Sequence, residues 1–198
     1  APLRRSTSAL DPLQDSLLAQ QRTEAKAPLL LWAGGRPGYS TGALALGNRE
    51  LHLAVTDVPE PFPLAGYLVD LVSLGATNAT RRLVCAFYSL DFPLGGSGPP
   101  QARLMTETLG RGSPTGTGIL RLRLGRPTAR RLPAGRYLMG IMASADVAGI
   151  TVPGCATFTA LGYLRAVGTE VLPELLAYRS LTTAAAPVFA AVSPDGTA

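Results

Sequence analysis

The chain of 198 residues is long enough to form one domain with a sizeable hydrophobic core. Hydrophobic residues make up 46% of the sequence and charged residues only 16%, which excludes a disordered, strongly solvated chain. The formal net charge is +5. Because the longest apolar runs fall far short of the ~20 residues that cross a bilayer, we expect no membrane-spanning segment.

Residues 1–27 carry the pattern of a short helix. Asp11 is a suitable N-cap, and Pro12 fits the first helical position. The apolar side of this helix consists of Leu10, Leu13 and Leu17. An isolated helix of this length is only marginally stable. We therefore interpret the segment as an arm whose helix packs on its own domain, or docks on a neighbouring subunit and oligomerises.

From Pro28 onward the periodicity changes to the alternation that is typical of β-strands. The predicted strands are Leu29–Ala33, Ala43–Leu46, Leu51–Asp57, Gly66–Leu74, Arg82–Leu90, Ala102–Leu109, Gly118–Leu124, Arg136–Ser144 and Ala156–Val167. The 22 glycines and 17 prolines of the chain favour many turns between them. The sequence therefore predicts an all-β protein in which residues 28–167 form an antiparallel, jelly-roll-like β-sandwich.

Two of these strands indicate how their faces are divided. In the segment ILRLRLG the leucines point to one face, while Arg121 and Arg123 point to the other. The segment RLVCAFYSL is apolar at nearly every position, which predicts a central strand covered on both faces. The predicted core includes Leu83, Cys85, Phe87, Leu120, Leu122, Leu138 and Ile141.

Residues 168–198 have too little apolar sequence for a core of their own. A short helical or irregular stretch is predicted around Pro173–Tyr178, and an apolar cluster follows at Val188–Val192. We interpret residues 168–198 as an extended C-terminal tail that packs on the sandwich or on a neighbouring copy.

The middle of the chain has a characteristic order of segments. An apolar strand is followed by a strand that ends in an aromatic-Tyr-x-x-Asp pattern, then by a Thr/Gly-rich turn, and then by Leu-x-x-Gly-x-Tyr before an apolar strand. The matching positions are Arg82, Phe87, Tyr88, Asp91, Pro100, Gly116, Leu132, Gly135 and Tyr137. Between Leu64 and Gly154, the chain resembles a β-sandwich module of tailed-phage fibre and spike proteins.

This resemblance implies a virion structural protein at the surface of an extracellular particle. Fibre modules are commonly symmetric homo-oligomers, most often trimers, and their partners are other virion proteins. Gly-x-Tyr before an apolar strand also occurs in carbohydrate-binding modules, which keeps that class of protein open.

No spacing typical of a metal site is present. The only histidine, His52, alternates with apolar neighbours, and we expect it at the surface on the face opposite to them. The two cysteines, Cys85 and Cys155, are far apart and have no zinc-ligand spacing. We expect both to be buried free thiols.

The other polar residues give hydrolysis no positive support. A Ser-His-Asp triad would need His52 with Asp57, Asp70 or Asp91, and the chain contains no G-x-S-x-G motif. The carboxylates are scattered, so a glycosidase pair is not indicated. The segment GRGSPTGTG lacks the Gly-Lys-Ser/Thr of a phosphate loop and is typical of a hairpin connection. We expect no catalytic residue, no metal and no cofactor.

Arginines are concentrated between residues 103 and 136, where Glu107 is the one acid. A sheet face bearing them could bind bacterial surface polysaccharide, nucleic acid or an acidic patch on a neighbouring subunit, or could simply be solvated. The candidate surface consists of Arg103, Arg121, Arg123, Arg126, Arg130 and Arg131. Interleaved aromatic residues for base stacking are missing, which argues against nucleic acid.

These observations favour a protein that assembles or binds over an enzyme. The first hypothesis is a fibre, spike or decoration subunit of a tailed phage or phage-like particle, which contributes to attachment to the host surface. The alternative is a carbohydrate-binding module or adhesin of a bacterial envelope. A polysaccharide-degrading enzyme is the third hypothesis.

Overall fold

Glycine- and proline-rich connections divide the chain into short strands. The computed structural model describes residues 30–33, 42–47, 50–75, 82–91, 101–125, 130–144, 149–155, 163–167, 171–177, 182–183 and 186–194. The predicted N-terminal helix, with Leu10, Leu13 and Leu17, lies outside the described residues. A 3₁₀ turn at Thr106–Thr108 is the helical element within them.

The strands are numbered in chain order. They are β1 Leu30–Ala33, β2 Gly42–Leu46, β3 Glu50–Val58, β4 Phe62–Leu64, β5 Gly66–Leu71, β6 Arg82–Asp91, β7 Gln101–Leu104, β8 Gly110–Gly112, β9 Gly118–Leu124, β10 Arg130–Leu132, β11 Gly135–Ser144, β12 Ile150–Cys155, β13 Tyr163–Val167, β14 Leu175–Ala177, β15 Thr182–Thr183, β16 Ala186–Pro187 and β17 Phe189–Val192.

The strands form one large sheet and two small ones. The large sheet has 12 strands in the order β1-β17-β5-β9-β8-β6-β11-β3-β13-β15, with β7 paired to β6 and β14 paired to β7. A second sheet pairs β10 with β4, and the third has the order β16-β12-β2. Neighbouring strands are antiparallel throughout these sheets. The prediction of an all-β, antiparallel protein is confirmed.

The large sheet curls back on itself. β1, at one end of the strand order, contacts β3, which lies near the other end, and the small sheet joins through contacts of β12 with β5 and of β16 with β3. The result is a nearly closed, barrel-like sheet. A jelly-roll sandwich is not confirmed, because β17 inserts between β1 and β5 and makes the sheet continuous.

The interior of this sheet holds the main core, which takes side chains from most strands. Phe87 of β6 lies in this core, and its ring centroid is 6.1 Å from that of Tyr67. The ring centroids of Phe87 and Tyr137 are also 6.1 Å apart, and these two rings pack edge to face. Of the predicted core residues, Leu83, Cys85, Phe87, Leu122 and Ile141 belong to the main core, and Leu120 packs at its margin.

β3, β6 and β11 are covered on both faces. Their outer faces carry a second apolar cluster, in which Tyr88 and Leu138 are fully buried. Leu172 and Leu176, from the described C-terminal segment 171–177, belong to the same cluster. The sequence prediction of a central strand at RLVCAFYSL is thus confirmed. Leu138 is buried as predicted, but in this second cluster.

Two glycines of β8 make room for the main core. A Cβ on Gly110 would lie 2.6 Å from Cδ2 of Tyr67, and one on Gly112 would lie 2.5 Å from Cδ2 of Leu122. Because real Cβ atoms essentially never come this close to another atom, a side chain at Gly110 would displace the ring of Tyr67, and one at Gly112 would push the end of the Leu122 side chain aside.

Several predicted strands match the structure closely, and others are divided. Leu51–Asp57, Gly118–Leu124 and Arg136–Ser144 coincide with β3, β9 and β11 to within one residue. The predicted strand Ala102–Leu109 is instead divided into β7 and the 3₁₀ turn Thr106–Thr108, which leads into β8. The chain bends there, and the Thr108 hydroxyl donates a hydrogen bond to the Met105 carbonyl at 2.7 Å across the bend.

The described part of the C-terminal tail supplies strands. β14 occupies the stretch that we predicted to be helical or irregular, and the apolar cluster Val188–Val192 contains β17, whose residues are all buried. Residues 168–198 therefore do more than cover a finished sandwich, because β17 completes the large sheet.

Candidate functional site

An arginine-bearing outer face is the most distinctive polar surface of the described residues. On β9, Leu122 points into the main core, so Arg121 and Arg123 point outward and are exposed. On the neighbouring strand β8, Arg111 is in register with Arg123 and is also exposed. Like charges directly opposite each other on two strands repel, so this arrangement favours an anion beside it.

The outer face continues from β8 to β6. Arg111 is in register with Val84 of β6, and Arg82, two residues before Val84, lies exposed on the same face. Within the described residues, no hydrogen bond or ion pair involves the side chains of Arg82, Arg111, Arg121 or Arg123. Asp70, on β5 opposite Ile119, is an acid at the far margin of this face.

Two of the other predicted arginines lie away from this surface. Arg103 is exposed on β7, but its neighbours Ala102 and Leu104 pack on the outer apolar cluster, so Arg103 points to the opposite face. Arg131 is exposed on β10, which belongs to the separate two-stranded sheet. Arg126 and the side chain of Arg130 lie outside the described residues.

Of the six arginines in the predicted surface, Arg121 and Arg123 share this face, and Arg103 and Arg131 lie away from it. Arg111 and Arg82 belong to the same face but were not among the residues predicted for it. The signal that identifies them is the strand register, because β8 lies between β9 and β6 in the sheet and pairs Arg111 with Arg123 on one side and with Val84 on the other.

A cleft of about 220 Å³ opens at the border between this face and the C-terminal segment. Arg82 and Arg111 contribute its charged wall. The rest of its lining is aliphatic and consists of Val84, Leu104, Leu109, Met142 and Leu172, with exposed Val171 at the rim. The cleft thus combines two guanidinium groups with an apolar floor.

The buried polar groups next to the core serve the fold. The Thr108 hydroxyl accepts a hydrogen bond from the Phe87 amide at 2.9 Å, and the Tyr67 hydroxyl donates to the Thr108 carbonyl at 2.6 Å. Burial raises the pKa of Tyr67 well above its usual 10.0 and that of the Cys85 thiol well above its usual 9.0. At neutral pH both groups are protonated, and neither is an activated nucleophile.

His52 is buried, with 3% of its surface exposed, and the prediction of a surface histidine is wrong. Its side chain does point to the face opposite to Leu51 and Leu53, but that face is the inner one. β3 is flanked there by β11 and β13, with His52 in register with Ile141 and Arg165. Its Nε2 lies 3.6 Å from Oε2 of Glu50.

The acidic side chains described by the structure are dispersed. Asp57 accepts a hydrogen bond from Nε of Arg136 at 2.7 Å, which lowers the pKa of this carboxyl although both side chains are about two-thirds exposed. Within the described ranges, no three His, Cys, Asp or Glu residues are grouped so that they could hold a metal ion. Cys85 is buried and unbridged, as predicted. The side chain of Cys155 lies outside the described residues.

Among the described residues, no helix is long and apolar enough to span a membrane. No protein-family model, curated protein or solved structure matches the chain. Function therefore has to be argued from the architecture and from the surfaces of this molecule.

Proposed function

We propose that the protein is a structural subunit of a tailed-phage or phage-like particle, of the fibre, spike or decoration type. In this role it lies at the particle surface, forms a homo-oligomer, with a trimer favoured, contacts other virion proteins and contributes to attachment to the host. The proposal starts from the resemblance between residues 64–154 and a β-sandwich module of tailed-phage fibre and spike proteins.

The observation that carries the proposal is the structural use of the motif residues. Phe87 and Tyr137 pack edge to face in the main core, and Tyr88 is buried in the outer apolar cluster. The Tyr137 hydroxyl donates to the Pro133 carbonyl at 2.9 Å, which ties the turn before β11 to that strand. A motif whose aromatic members support packing is what a scaffold module needs.

Mass spectrometry of purified particles from the source would test this function. We expect the protein in a fixed copy number per vertex or per tail, retained through a density gradient. Recovery of the protein only from the bacterial envelope or medium, and never from particles, would contradict the proposal.

An envelope carbohydrate-binding module or adhesin is the second candidate. The guanidinium groups of Arg111, Arg121 and Arg123 lie on one exposed face and form no ion pair with any described residue. They favour this candidate, because an acidic polysaccharide presents carboxylates at repeated intervals. Retention of the isolated protein on anionic envelope polysaccharide, lost in Arg121→Gln/Arg123→Gln, would support this candidate. Equal retention on neutral polysaccharide would count against it.

The proposed function includes no catalysis. We expect that incubation with host envelope polysaccharide releases no reducing ends. Release that is abolished by a single carboxylate substitution in a folded protein would instead support the third hypothesis, a polysaccharide-degrading enzyme.

A further inference from the structure

We propose that the cleft between β6, β8 and the C-terminal segment binds a small amphipathic carboxylate, with its acid group on Arg82 and Arg111 and its apolar tail on the aliphatic floor. This site is independent of the proposed role in a particle, because it depends only on residues of one chain.

The strand register places the two guanidinium groups at one edge of the cleft. Arg111 lies opposite Val84, and Arg82 is the diagonal neighbour of Arg111 on the same outer face. Diagonal neighbours on paired strands lie ~7–8 Å apart, which long side chains can span. Two arginines at this separation can therefore converge on one carboxylate, which accepts hydrogen bonds at both oxygens.

The floor of the cleft selects an apolar tail. Val84 and Met142 are in register across β6 and β11, and Leu172 closes the floor from the C-terminal segment. The described residues that line the cleft include no aromatic side chain and so offer no flat surface on which a sugar ring could stack. An aliphatic chain fits this lining better than a saccharide does.

The size of the cleft limits the ligand. Its volume of about 220 Å³ lies below the ~300–1,000 Å³ of sites for drug-sized molecules. A short acyl chain is therefore the class of ligand that matches both the volume and the division into a charged wall and an apolar floor.

Octanoate is the probe for this proposal, and methionine methyl groups report its position. The chain contains three methionines, of which Met142 lines the cleft and Met139 is buried in the main core on the opposite face of β11. In protein labelled with ¹³C at the methionine methyl, octanoate should shift the Met142 signal in a saturable manner and leave Met139 unchanged. Met142→Leu assigns the signal.

Charge variants test the role of the guanidinium groups. We expect Arg82→Gln and Arg111→Gln each to weaken octanoate binding about ten-fold, because each removes a charge-assisted hydrogen bond. Arg121→Gln is the matched control, since Arg121 is exposed on the same outer face but does not line the cleft. Octanol, which has the tail without the charge, should bind far more weakly than octanoate.

Four results would overturn the proposal. They are the absence of a Met142 shift at millimolar octanoate, equal shifts of Met139 and Met142, equal binding of octanol and octanoate, and equal weakening by Arg121→Gln and Arg111→Gln. An unchanged Met139 signal and melting temperature in each variant establish that the fold is intact, since the substituted arginines are exposed.

Discussion

Phe87 shows how much stability one side chain of the main core supplies. Its ring is fully buried between those of Tyr67 and Tyr137. Phe87→Ala should lower the free energy of unfolding by about 3–5 kcal/mol, because it removes apolar contacts and leaves a cavity. Arg123→Ala, at an exposed position, should change it by less than ~0.5 kcal/mol. Urea denaturation measures both, and equal losses would mean that the faces of the strands are assigned incorrectly.

Thr108 is a buried residue whose hydroxyl both donates and accepts. Thr108→Val removes the acceptor of the Phe87 amide, and the buried N–H then has no partner. We expect Thr108→Val to lower the free energy of unfolding by about 1–3 kcal/mol, whereas Thr108→Ser, which keeps the hydroxyl, should lower it less. Denaturation of the two variants side by side measures the difference. If Val and Ser have the same effect, this hydrogen bond does not stabilise the bend between β7 and β8.

The buried hydroxyl of Tyr88 should make the stability of the protein depend on pH in the alkaline range. Burial raises its pKa well above the usual 10.0, and its hydroxyl has no hydrogen-bond partner in the part of the chain that the structure describes. As pH rises, the Tyr88 hydroxyl ionises at a lower pH in the unfolded chain than in the folded one. The stability that depends on neutral Tyr88 is therefore fully present below the pKa of Tyr88 in the unfolded chain, and it is lost as pH rises through the pKa in the folded protein.

Tyr88→Phe should therefore unfold with a smaller loss of stability between pH 8 and pH 11 than the unmodified protein, and should be at least as stable at neutral pH. Thermal or urea unfolding across this range measures the effect. A steeper alkaline loss in Tyr88→Phe, or destabilisation at pH 7, would show that the hydroxyl contributes favourably to the fold.

At the scale of elements, strands with clear alternation were predictable and strands of small residues were not. β9 matches its prediction at both ends because leucine and arginine alternate there. β12 begins with β-branched residues but then contains Pro153 and Gly154, and two of the four residues of β17 are alanine, so neither has the alternating pattern that marks a strand. Their pairing is decided by distant partners, which a local pattern does not contain.

β17 is expected to be indispensable although it comes from the C-terminal tail. A chain that ends at Pro187 lacks the strand between β1 and β5 and should lose cooperative unfolding, because both neighbours lose their hydrogen-bonding partner. A chain that ends at Pro194 keeps every described strand and is the matched control. Circular dichroism and urea unfolding measure the result, and a cooperative transition in the shorter chain would contradict it.

At the scale of the whole molecule, the N-terminal arm is expected to serve assembly. Deletion of residues 1–27 removes the predicted helix and leaves β1, which begins at Leu30, intact. We expect the shortened protein to remain folded and to lose its place in the oligomer or particle, because the leucine seam of the arm, at ~1.5–3 kcal/mol for each buried side chain, would be missing.

Light scattering and particle reconstitution measure this outcome. If the shortened protein assembles with full stoichiometry, the interface lies on the sheet or on the C-terminal segment. Arg123→Ala in the full chain is the control, since it changes the surface charge and leaves the arm in place.

The candidate site was predictable only where it lies within one strand. Alternation in β9 places Arg121 and Arg123 on an exposed face without further information. The cleft, in contrast, joins Arg82, Arg111 and Leu172, which are distant in sequence and meet through the order of strands and the path of the C-terminal segment. His52 was misplaced for the same reason, since only the neighbouring strands decide whether a face is covered.

The pairing of the first described strand with the last has a consequence for synthesis. β17 must lie between β1 and β5, so during translation β1 has no partner on that side until the chain has been made as far as Val192. Pairing between such distant segments is slow, and the incomplete sheet presents unpaired edges in the meantime. We therefore expect the nascent protein to depend on chaperones more than a protein whose neighbouring strands follow one another in sequence.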